Sequence, residues 1–270
     1  MEYKRSGSPR AVNRSLYGEK AENYRIVAKM WDAYVDAEKR MRTEGPFLLR
    51  QLPIEPGRRK VFDAATGTGA DSIFLLKNGY EVTSNEFDAS YLARARLNFS
   101  RENVSPAIAS YDWLTLGQYL PPKSFDAVIC LGNSLTCILS HTDQYRALRN
   151  FLDILKDSGV LILDTRNYDY ILDERQSILK SGTLRYSGNY VYCGIDKVHA
   201  VPIRISETDV TLKFTDLRSG ENAYLFVYPF RRTELHDLIR EVGFKSISFF
   251  SDYRPGPNPE ADFHQFVCRR

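Results

Sequence analysis

The sequence predicts a doubly wound α/β fold with a mostly parallel, seven-stranded sheet, and three features of the chain indicate it. Short apolar runs alternate with helical segments between residues 60 and 164. Two glycines stand where the first run passes into a helix. Aromatic-rich stretches of alternating polarity come next, and a helix and two strands close the chain. Strand–helix alternation requires a parallel sheet covered on both faces, and right-handed crossovers then fix the winding.

Composition and charge exclude several classes of protein. Hydrophobic residues make up 43% of the 270 residues and charged residues 26%, which is near the average for globular domains. The net charge of +3 arises from 37 basic and 34 acidic residues of mixed order, whereas a nucleic-acid binder needs clustered basic residues. Apolar runs fall well short of the roughly 20 residues of a membrane helix. We therefore expect neither a nucleic-acid partner nor a membrane.

The cysteines and histidines indicate a reduced protein without a metal. Cys130, Cys137, Cys193 and Cys268 show no C-x-x-C spacing, and the N-terminal sequence does not resemble a signal peptide. The four histidines are scattered, so no set of ligands has the spacing of a zinc site. We expect a cytoplasmic location and no bound metal.

The N-terminal part, residues 1–50, is expected to be an arm followed by a helical cap. Residues 1–16 are polar and carry little helix or strand signal, so we expect a flexible or partner-dependent arm there. From Lys20 to Gln51 apolar residues recur at helical spacing, and Pro53 then ends the pattern.

Residues 51–170 are expected to form the core, 171–230 an inserted antiparallel lid, and 231–270 a return to the core sheet. Alternating aromatic stretches predict the lid, and a closing hairpin gives the sheet an antiparallel edge. The predicted core strands are residues 60–64, 81–84, 106–109, 126–131 and 159–164, with helices at 71–78, 90–103 and 143–155. The later strands are expected at 190–192, 210–214, 224–228, 245–250 and 263–268, and the closing helix at 233–242.

A glycine-containing segment, Asp63-Ala64-Ala65-Thr66-Gly67-Thr68-Gly69, lies where the first strand turns into a helix. Glycines there allow the backbone to approach a ligand, because no Cβ intervenes. A dinucleotide-binding protein usually has a third glycine three residues later, but this chain has Ser72. The pattern favours a nucleoside without a phosphate over a nicotinamide dinucleotide, with an ordinary tight turn as the alternative. We predict that Asp63, Gly67 and Gly69 belong to the site.

Acidic and aromatic residues after the next two strands complete the predicted nucleoside site. Glu86 ends the second strand, 23 positions beyond Asp63, where a carboxylate accepts hydrogen bonds from both ribose hydroxyls. Asp88 is the neighbour that could take this role instead. Asp112 and Trp113 follow the third strand and offer an acceptor and a flat ring to an adenine. The alternatives are a solvated Glu86 and a Trp113 that only packs in the core.

Two longer motifs resemble a known family. The fourth strand ends in Leu131-Gly132-Asn133-Ser134, and the fifth leads into Asp164-Thr165-Arg166-Asn167-Tyr168-Asp169-Tyr170. With Ala70-Asp71-Ser72 and Val82-Thr83-Ser84, they resemble the glycine N-methyltransferases and the glycine/sarcosine N-methyltransferases of betaine synthesis, from about Tyr17 to the C-terminus. The resemblance implies a Rossmann-like methyltransferase fold, S-adenosylmethionine as cofactor, S-adenosylhomocysteine as product, and glycine or sarcosine as the methyl acceptor.

The resemblance also implies roles for single residues. Arg40 or Arg42 would grip the cofactor carboxylate, and the sequence does not decide between them. Arg166 would pair with the carboxylate of the amino-acid substrate, assisted by Asn133. The other implied cofactor contacts are Tyr17, Trp31, Ala64, Glu86, Asp112, Trp113 and Leu131, and the other residues implied around the acceptor and the transferring methyl are Tyr34, Tyr168, Tyr192 and Tyr228.

These residue types suit transfer of a methyl group to a small amino acid. A guanidinium is planar, always charged and able to bind a carboxylate through two parallel hydrogen bonds, which a lysine cannot do. Tyrosine oxygens and ring faces favour a positive centre without being methylated themselves. Phe214 departs from the animal glycine N-methyltransferases, which have a tyrosine there, so the preference between glycine and sarcosine is open. The alternatives are a surface salt bridge for Arg166 and simple packing for each tyrosine.

Two other functions remain open from the sequence. One is a methyltransferase of the same fold that acts on another small amine or amino acid, since fold does not determine substrate. The other is a non-catalytic module that binds S-adenosylmethionine and regulates a partner. A homo-oligomer is also open, because related animal enzymes associate through N-terminal segments, although residues 1–16 do not match those segments.

Overall fold

The chain forms a central sheet, a smaller sheet and helices around both. The computed structural model describes residues 9–270 apart from 54, 56, 58 and 185–196, and side chains from residue 22 onward. The strands in this range are β1 Lys60–Asp63, β2 Glu81–Asn85, β3 Ala107–Ala109, β4 Phe125–Cys130, β5 Leu155–Arg166, β6 Val198–Ile205, β7 Val210–Asp216, β8 Asn222–Val227, β9 Ser246–Ser251, β10 Arg254–Pro255 and β11 Phe263–Arg269. The helices are α1 Pro9–Tyr34, α2 Ala37–Gln51, α3 Ala70–Lys77, α4 Ala89–Arg101, α5 His141–Ile154, α6 Tyr168–Asp173, α7 Arg175–Ser181 and α8 Arg232–Val242, with short 3-10 helices at Trp113–Gln118 and Ser134–Cys137.

The central sheet has the strand order β10-β9-β11-β5-β4-β1-β2-β3. Strands β1 to β5 are parallel, and β11 and β9 add an antiparallel edge, so the predicted doubly wound, mostly parallel sheet is confirmed. One detail was wrong, because the described sheet has eight strands rather than seven. The extra strand is the two-residue β10, which pairs with β9 across the turn Asp252–Tyr253.

That turn explains why the eighth strand was missed. Asp252 and Tyr253 both have positive φ, 49° and 63°, as a two-residue type I′ hairpin requires. Asn-Gly is the usual signal for such a turn, and Asp-Tyr does not indicate it. A left-handed conformation is unfavourable for a side chain as large as tyrosine.

Two layers of helices cover the sheet, because alternate residues of each parallel strand face opposite sides. Val128 of β4 belongs to the cluster that α5 and α8 cover through Phe151 and Leu235. Its neighbour Ile129 belongs to the cluster on the other face, which α2 covers through Phe47. Burial on both faces accounts for the continuous apolar pattern of β4.

The smaller sheet is the antiparallel meander β6-β7-β8, and α1 lies along it. The amide of Tyr224 in β8 donates to Oδ1 of Asn23 in α1 at 2.8 Å. Val27, Val210 and Phe214 share the apolar cluster between them. The inserted antiparallel sheet and the N-terminal helical cap are therefore as predicted.

Several local predictions need correction. Residues 9–16 belong to α1 rather than to an irregular arm, since the fixed φ of Pro9 suits the first position of a helix. Strand β6 was missed because Pro202 interrupts its pattern, and the structure accommodates this proline beside an irregularity in register. The predicted strand at 190–192 lies outside the described residues. The division of the chain at residues 50, 170 and 230 stays a prediction.

Replacing Gly69 by alanine is expected to destabilise the protein more than the same change at Gly182. Both glycines have positive φ, 101° and 65°, which disfavours alanine by about 1–2 kcal/mol. At Gly69 the new Cβ would also lie 2.8 Å from Cε1 of Phe99, whereas at Gly182 it would meet no atom within 4 Å. Such overpacking adds about 1–3 kcal/mol. Urea unfolding compares the two variants, and equal losses would contradict the tight packing of the turn on α4.

Candidate active site

A cavity of about 1380 Å³ lies between the carboxyl ends of the parallel strands, the helix α1 and the first turn of α2. Open α/β sheets bind their ligands at this edge. Asp63 and Gly69 lie behind its wall and shape it. The predicted site residues in the wall itself are Trp31, Arg40, Ala64, Gly67, Glu86, Asp112, Trp113, Leu131 and Asn133.

Asp63 supports the glycine-containing turn from beneath. Its side chain is buried and accepts hydrogen bonds from Oγ of Ser72 at 2.6 Å and from the Ala65 amide at 3.3 Å. Oγ of Ser72 also lies 2.6 Å from Oγ of Ser84, so the residue that stands in place of a third glycine links α3 to β1 and β2. Burial raises the pKa of Asp63 to about 6. Direct contact of Asp63 with a ligand stays a prediction.

Glu86 lies in the cavity wall and is hydrogen-bonded directly to the glycine-containing turn. Its Oε2 accepts from the Gly67 amide at 2.8 Å, and its Oε1 accepts from the Asp88 amide at 2.9 Å. Burial raises the pKa of Glu86 to about 7, and these two amides oppose the rise. The carboxylate of Asp88 caps α4 by accepting from the amides of Ser90 and Tyr91. Both acids line the cavity, and the role of Glu86 as the acceptor for a ribose stays a prediction.

The third strand end presents Asp112 and Trp113 to the same cavity. Oδ1 of Asp112 accepts from the Leu114 amide at 2.9 Å, which fixes the carboxylate at the start of the short helix. Nε1 of Trp113 donates to the Ala64 carbonyl at 2.8 Å, so the ring is tied to the turn after β1. Trp113 is half-buried and lies in the cavity wall. A tryptophan that only packed in the core would not line the cavity.

Asn85 connects the loops that follow β1 and β3. It was not identified as a site residue from the sequence. Its Nδ2 donates to the carbonyls of Ala64 and Tyr111, and its Oδ1 accepts from the Tyr111 amide at 2.7 Å. It is fully buried, and one amide side chain thus fixes the loops after β1 and β3. A polar amide at the end of an apolar strand was the available signal.

Arg40 and Arg42, which the sequence could not separate, differ in position. Arg42 is exposed and pairs with Glu38 at 2.7 Å. Arg40 lies in the cavity wall, and its Nη2 is 2.9 Å from both Glu44 Oε1 and Asp71 Oδ2. A buried guanidinium needs such partners. Because Asp71 opens α3 directly after the glycine-containing turn, Arg40 supplies a positive charge beside that turn.

Asn133 organises a second corner of the site, beside the cavity. It has a left-handed backbone, φ 66°, and its amide donates to Oδ1 of Asp164 at 2.7 Å. Its side-chain Oδ1 accepts from the Arg166 amide at 3.0 Å, and its Nδ2 donates to the Tyr168 hydroxyl at 2.9 Å. Burial raises the pKa of Asp164 to about 6. The structure thus brings three of the predicted substrate residues together around one amide.

The Arg166 side chain lies next to the end of α1 and the start of β11. Its guanidinium lies over the Phe263 ring, 5.3 Å from the centroid, and its Nη2 is 3.5 Å from the Tyr34 hydroxyl. Tyr34 is buried and packs edge-on against Phe214, with centroids 5.0 Å apart. Phe214 therefore contacts the residue that faces Arg166.

The residues that line the cavity in the described part of the chain do not include Tyr34, Tyr168, Tyr228 or Arg166. The Tyr228 hydroxyl donates to Oε1 of Glu234 at 2.5 Å, because Glu234 lies in the first turn of α8 next to it. Tyr192 lies outside the described residues, and the side chain of Tyr17 lies outside them as well. Their roles at the transferring methyl group and at the cofactor stay predictions.

A wall formed by α1 and α4 was also missed. Tyr24 and Tyr91 line the cavity there, and the ring of Tyr91 lies edge-on to Trp31 with centroids 5.9 Å apart. Burial raises the pKa of Tyr91 well above its usual value, so its hydroxyl stays protonated. Tyr24 and Trp31 are seven residues apart on one helical face, which was the available signal.

The part of the chain that the structure describes contains neither a membrane-spanning helix nor a cluster of metal ligands. Its helices include none that is long and apolar enough to cross a membrane. Its side chains include no group of three or more His, Cys, Asp or Glu residues that could hold a metal ion.

Comparison with known proteins first defines the class. A family model described as a methyltransferase domain matches residues 61–159. The crystal structure of an S-adenosylmethionine-dependent methyltransferase from Clostridium acetobutylicum has a TM-score of 0.67 with this chain. The match covers 94% of this chain and 98% of that one, at 18% identity, so it shows the fold alone. The chain has the fold of the S-adenosylmethionine-dependent methyltransferases.

Relatives in sequence then define the particular family. A glycine/sarcosine N-methyltransferase of Parasynechococcus marenigrum is 38% identical over 241 residues, which are 89% of this chain and 81% of the relative. A glycine/sarcosine/dimethylglycine N-methyltransferase of Actinopolyspora halophila is 36% identical over 242 residues, or 89% of this chain and 41% of that protein. The chain belongs to the glycine/sarcosine N-methyltransferase family.

Binding of S-adenosylhomocysteine is expected to weaken as the pH falls below about 7. Glu86 has a pKa of about 7 in the ligand-free protein. Ribose hydroxyls require its ionised form as acceptor, so binding below this pH releases a proton. The Kd should then rise with falling pH, approaching about ten-fold per pH unit.

Calorimetry at pH 6, 7 and 8 measures this dependence, and E86Q serves as the control because its amide does not titrate. The variant should bind more weakly at pH 8 and lose the slope between pH 6 and 8. The same slope in E86Q would assign the dependence to another group, such as Asp63.

Proposed function

We propose that the chain transfers a methyl group from S-adenosylmethionine to the amino nitrogen of glycine, sarcosine or both, and releases S-adenosylhomocysteine. The products would be sarcosine and dimethylglycine. The observation that carries the proposal is the arrangement at Asn133, whose side chain binds the Arg166 amide and the Tyr168 hydroxyl beside the cavity. This arrangement supports Arg166 as the cation that binds the substrate carboxylate, because it fixes the Arg166 backbone next to Asn133, which lines the cavity.

The residues present suit the cofactor. Glu86 and Asp112 supply acceptors for ribose hydroxyls and for an adenine amine, and the Trp113 ring supplies a flat apolar surface. Gly67 lets the backbone approach, and Arg40 supplies a cation for the carboxylate at the other end of the molecule. When bound, S-adenosylmethionine supplies an electrophilic methyl group on a positively charged sulfur.

The acceptor side depends on how firmly Arg166 is held. Its backbone is fixed by Asn133, and its guanidinium is confined between the Phe263 ring and the Tyr34 hydroxyl. An arginine that is fixed both at its backbone and at its guanidinium binds a carboxylate in one orientation. The amine of a small amino acid bound in this way then points in one direction. Positioning of this kind supplies much of the rate of a reaction between two bound molecules.

The acceptor range is a separate proposal. Phe214 places a ring edge against Tyr34 and provides no hydroxyl to bind a polar group there. This apolar contact supports an enzyme that tolerates the N-methyl group of sarcosine as well as glycine. Another small amino acid with a free amine and a carboxylate is the second candidate, because Arg166 would bind its carboxylate in the same way.

A cytoplasmic location and a homo-oligomeric state are further proposals. Cys130 and Cys268 are buried free thiols in the described part of the chain, which is typical of a reducing compartment. Light scattering on the purified chain measures the oligomeric state directly.

Replacing Arg166 by lysine is expected to raise the KM for the amino-acid acceptor about ten- to a hundred-fold, because one of two charge-assisted hydrogen bonds is lost. The Kd for S-adenosylhomocysteine should stay unchanged, since the cofactor residues lie elsewhere in the site. Mass spectrometry of products from glycine, sarcosine and dimethylglycine, each offered alone, measures the activity. R175K is a matched control, because Arg175 is an exposed arginine that pairs with Glu207.

The outcomes separate the candidate functions. No methylated product from the three acceptors would overturn the proposed activity. Cofactor binding without turnover on a broad acceptor panel would favour the regulatory module instead. An unchanged acceptor KM in R166K would favour an acceptor without a carboxylate.

A further inference from the structure

Tyr253 reaches from the C-terminal hairpin to the charges beside the glycine-containing turn. Its hydroxyl donates to Oε2 of Glu44 at 2.8 Å, although 209 positions separate the two residues in sequence. Tyr253 is 9% exposed and Glu44 is 1% exposed, and the tyrosine ring packs on Phe47 with centroids 5.4 Å apart. A hydrogen bond to an ionised acceptor is strong in such an environment.

The hairpin turn holds Tyr253 in its left-handed conformation through several contacts. The Tyr253 amide donates to Oε1 of Gln265 at 2.8 Å. The Asp252 carboxylate accepts from the amides of Asp262 and Phe263 at 3.1 Å and 3.0 Å. Backbone strain persists only where surrounding contacts enforce it, and it is concentrated at functional sites. The strained backbone at Tyr253 therefore indicates a functional role for its hydroxyl.

Glu44 connects that hydroxyl to Arg40. Its Oε2 also accepts from Nε of Arg40 at 3.1 Å, and its Oε1 accepts from Nη2 at 2.9 Å. Two parallel hydrogen bonds hold a carboxylate and a guanidinium in one plane. Because Tyr253 bonds to the same Oε2, it restricts rotation of the carboxylate and so sets the plane of the guanidinium.

Asp71 contacts the same guanidinium from the cofactor side. Its Oδ2 accepts from Nη2 of Arg40 at 2.9 Å. Burial raises the pKa of Asp71 well above its usual value, the charges of Glu44 and Asp63 add to the rise, and Arg40 opposes it. Arg40 therefore has Glu44 on one side and Asp71 on the other, and it lies in the wall of the cavity.

We propose that Tyr253 and Glu44 are positioning residues that orient Arg40 toward the carboxylate of S-adenosylmethionine. The inference rests on the proposed function, in which Arg40 receives that carboxylate. Tyr253 and Glu44 are not among the residues that line the described cavity, and Arg40, which bonds to Glu44, connects them to it. Their effect is confined to the amino-acid end of the cofactor and does not extend to its nucleoside.

The test compares ligands with and without the amino-acid end in the variant Y253F, which removes one hydroxyl. The Kd for S-adenosylmethionine and for S-adenosylhomocysteine should rise about three- to ten-fold, because the lost hydrogen bond affects only the orientation of Arg40 and leaves the bonds between Arg40 and the ligand in place. The Kd for 5′-methylthioadenosine, which has the nucleoside and the sulfur but no carboxylate, should stay unchanged. In turnover, the KM for S-adenosylmethionine should rise while kcat stays constant.

Tyr80 provides the matched control. It belongs to the same apolar cluster as Tyr253, and its buried hydroxyl has no hydrogen-bond partner among the described residues. Y80F should leave all three affinities unchanged. The variant R40K should reproduce the ligand-selective loss, and adding Y253F to R40K should cause little further loss.

The outcomes distinguish this inference from the proposed function. Equal weakening of all three ligands in Y253F, or no weakening at all, would overturn the positioning role while leaving the enzyme assignment intact. Normal binding of S-adenosylmethionine by R40K would overturn it as well. Failure of the wild-type chain to bind any of the three ligands would instead remove the proposed function itself.

Discussion

Hydrogen bonds from backbone amides to carboxylates at the strand ends determine the shape of this site. Each acid is buried or half-buried, and burial favours its neutral form unless hydrogen-bond donors surround it. The donors are amides of neighbouring loops, so each loop is fixed where a strand ends. The pairs are Asp63 with the Ala65 amide, Glu86 with those of Gly67 and Asp88, Asp112 with that of Leu114, and Asp164 with that of Asn133. The cavity is the space that these fixed loops enclose.

The fold and much of the cavity wall could be predicted because their signals are local. Strand β4 is a continuous apolar run because it is buried on both faces. The turn after β1 needs glycine at positive φ, and Gly67 and Gly69 meet that need within seven residues of Asp63. Glu86 follows β2 directly and Trp113 comes shortly after β3, so the parallel order of the sheet brings them to one edge. No contact between distant parts of the chain had to be known.

The contacts that could not be predicted join residues far apart in sequence. The bond between Tyr253 and Glu44 depends on a type I′ turn without glycine or asparagine, so nothing near Tyr253 indicates it. The choice between Arg40 and Arg42 depends on which face of α2 packs against α3. The two arginines are two positions apart, and the sequence pattern does not show which of them lies on that face. The Tyr228 hydroxyl bonds to Glu234 because α8 begins next to Tyr228. The residue pattern of β8 does not show where α8 begins.

Tyr34 connects the wall of the cavity with the side chain of Arg166. Tyr34 ends α1, where its ring contacts Trp31 of the cavity wall and Phe214 of the smaller sheet, and its hydroxyl faces Arg166. A displacement of α1 that widened the cavity would therefore also withdraw the hydroxyl from the guanidinium. If Arg166 binds the amino-acid acceptor as proposed, the donor and the acceptor would become enclosed by a single movement of α1.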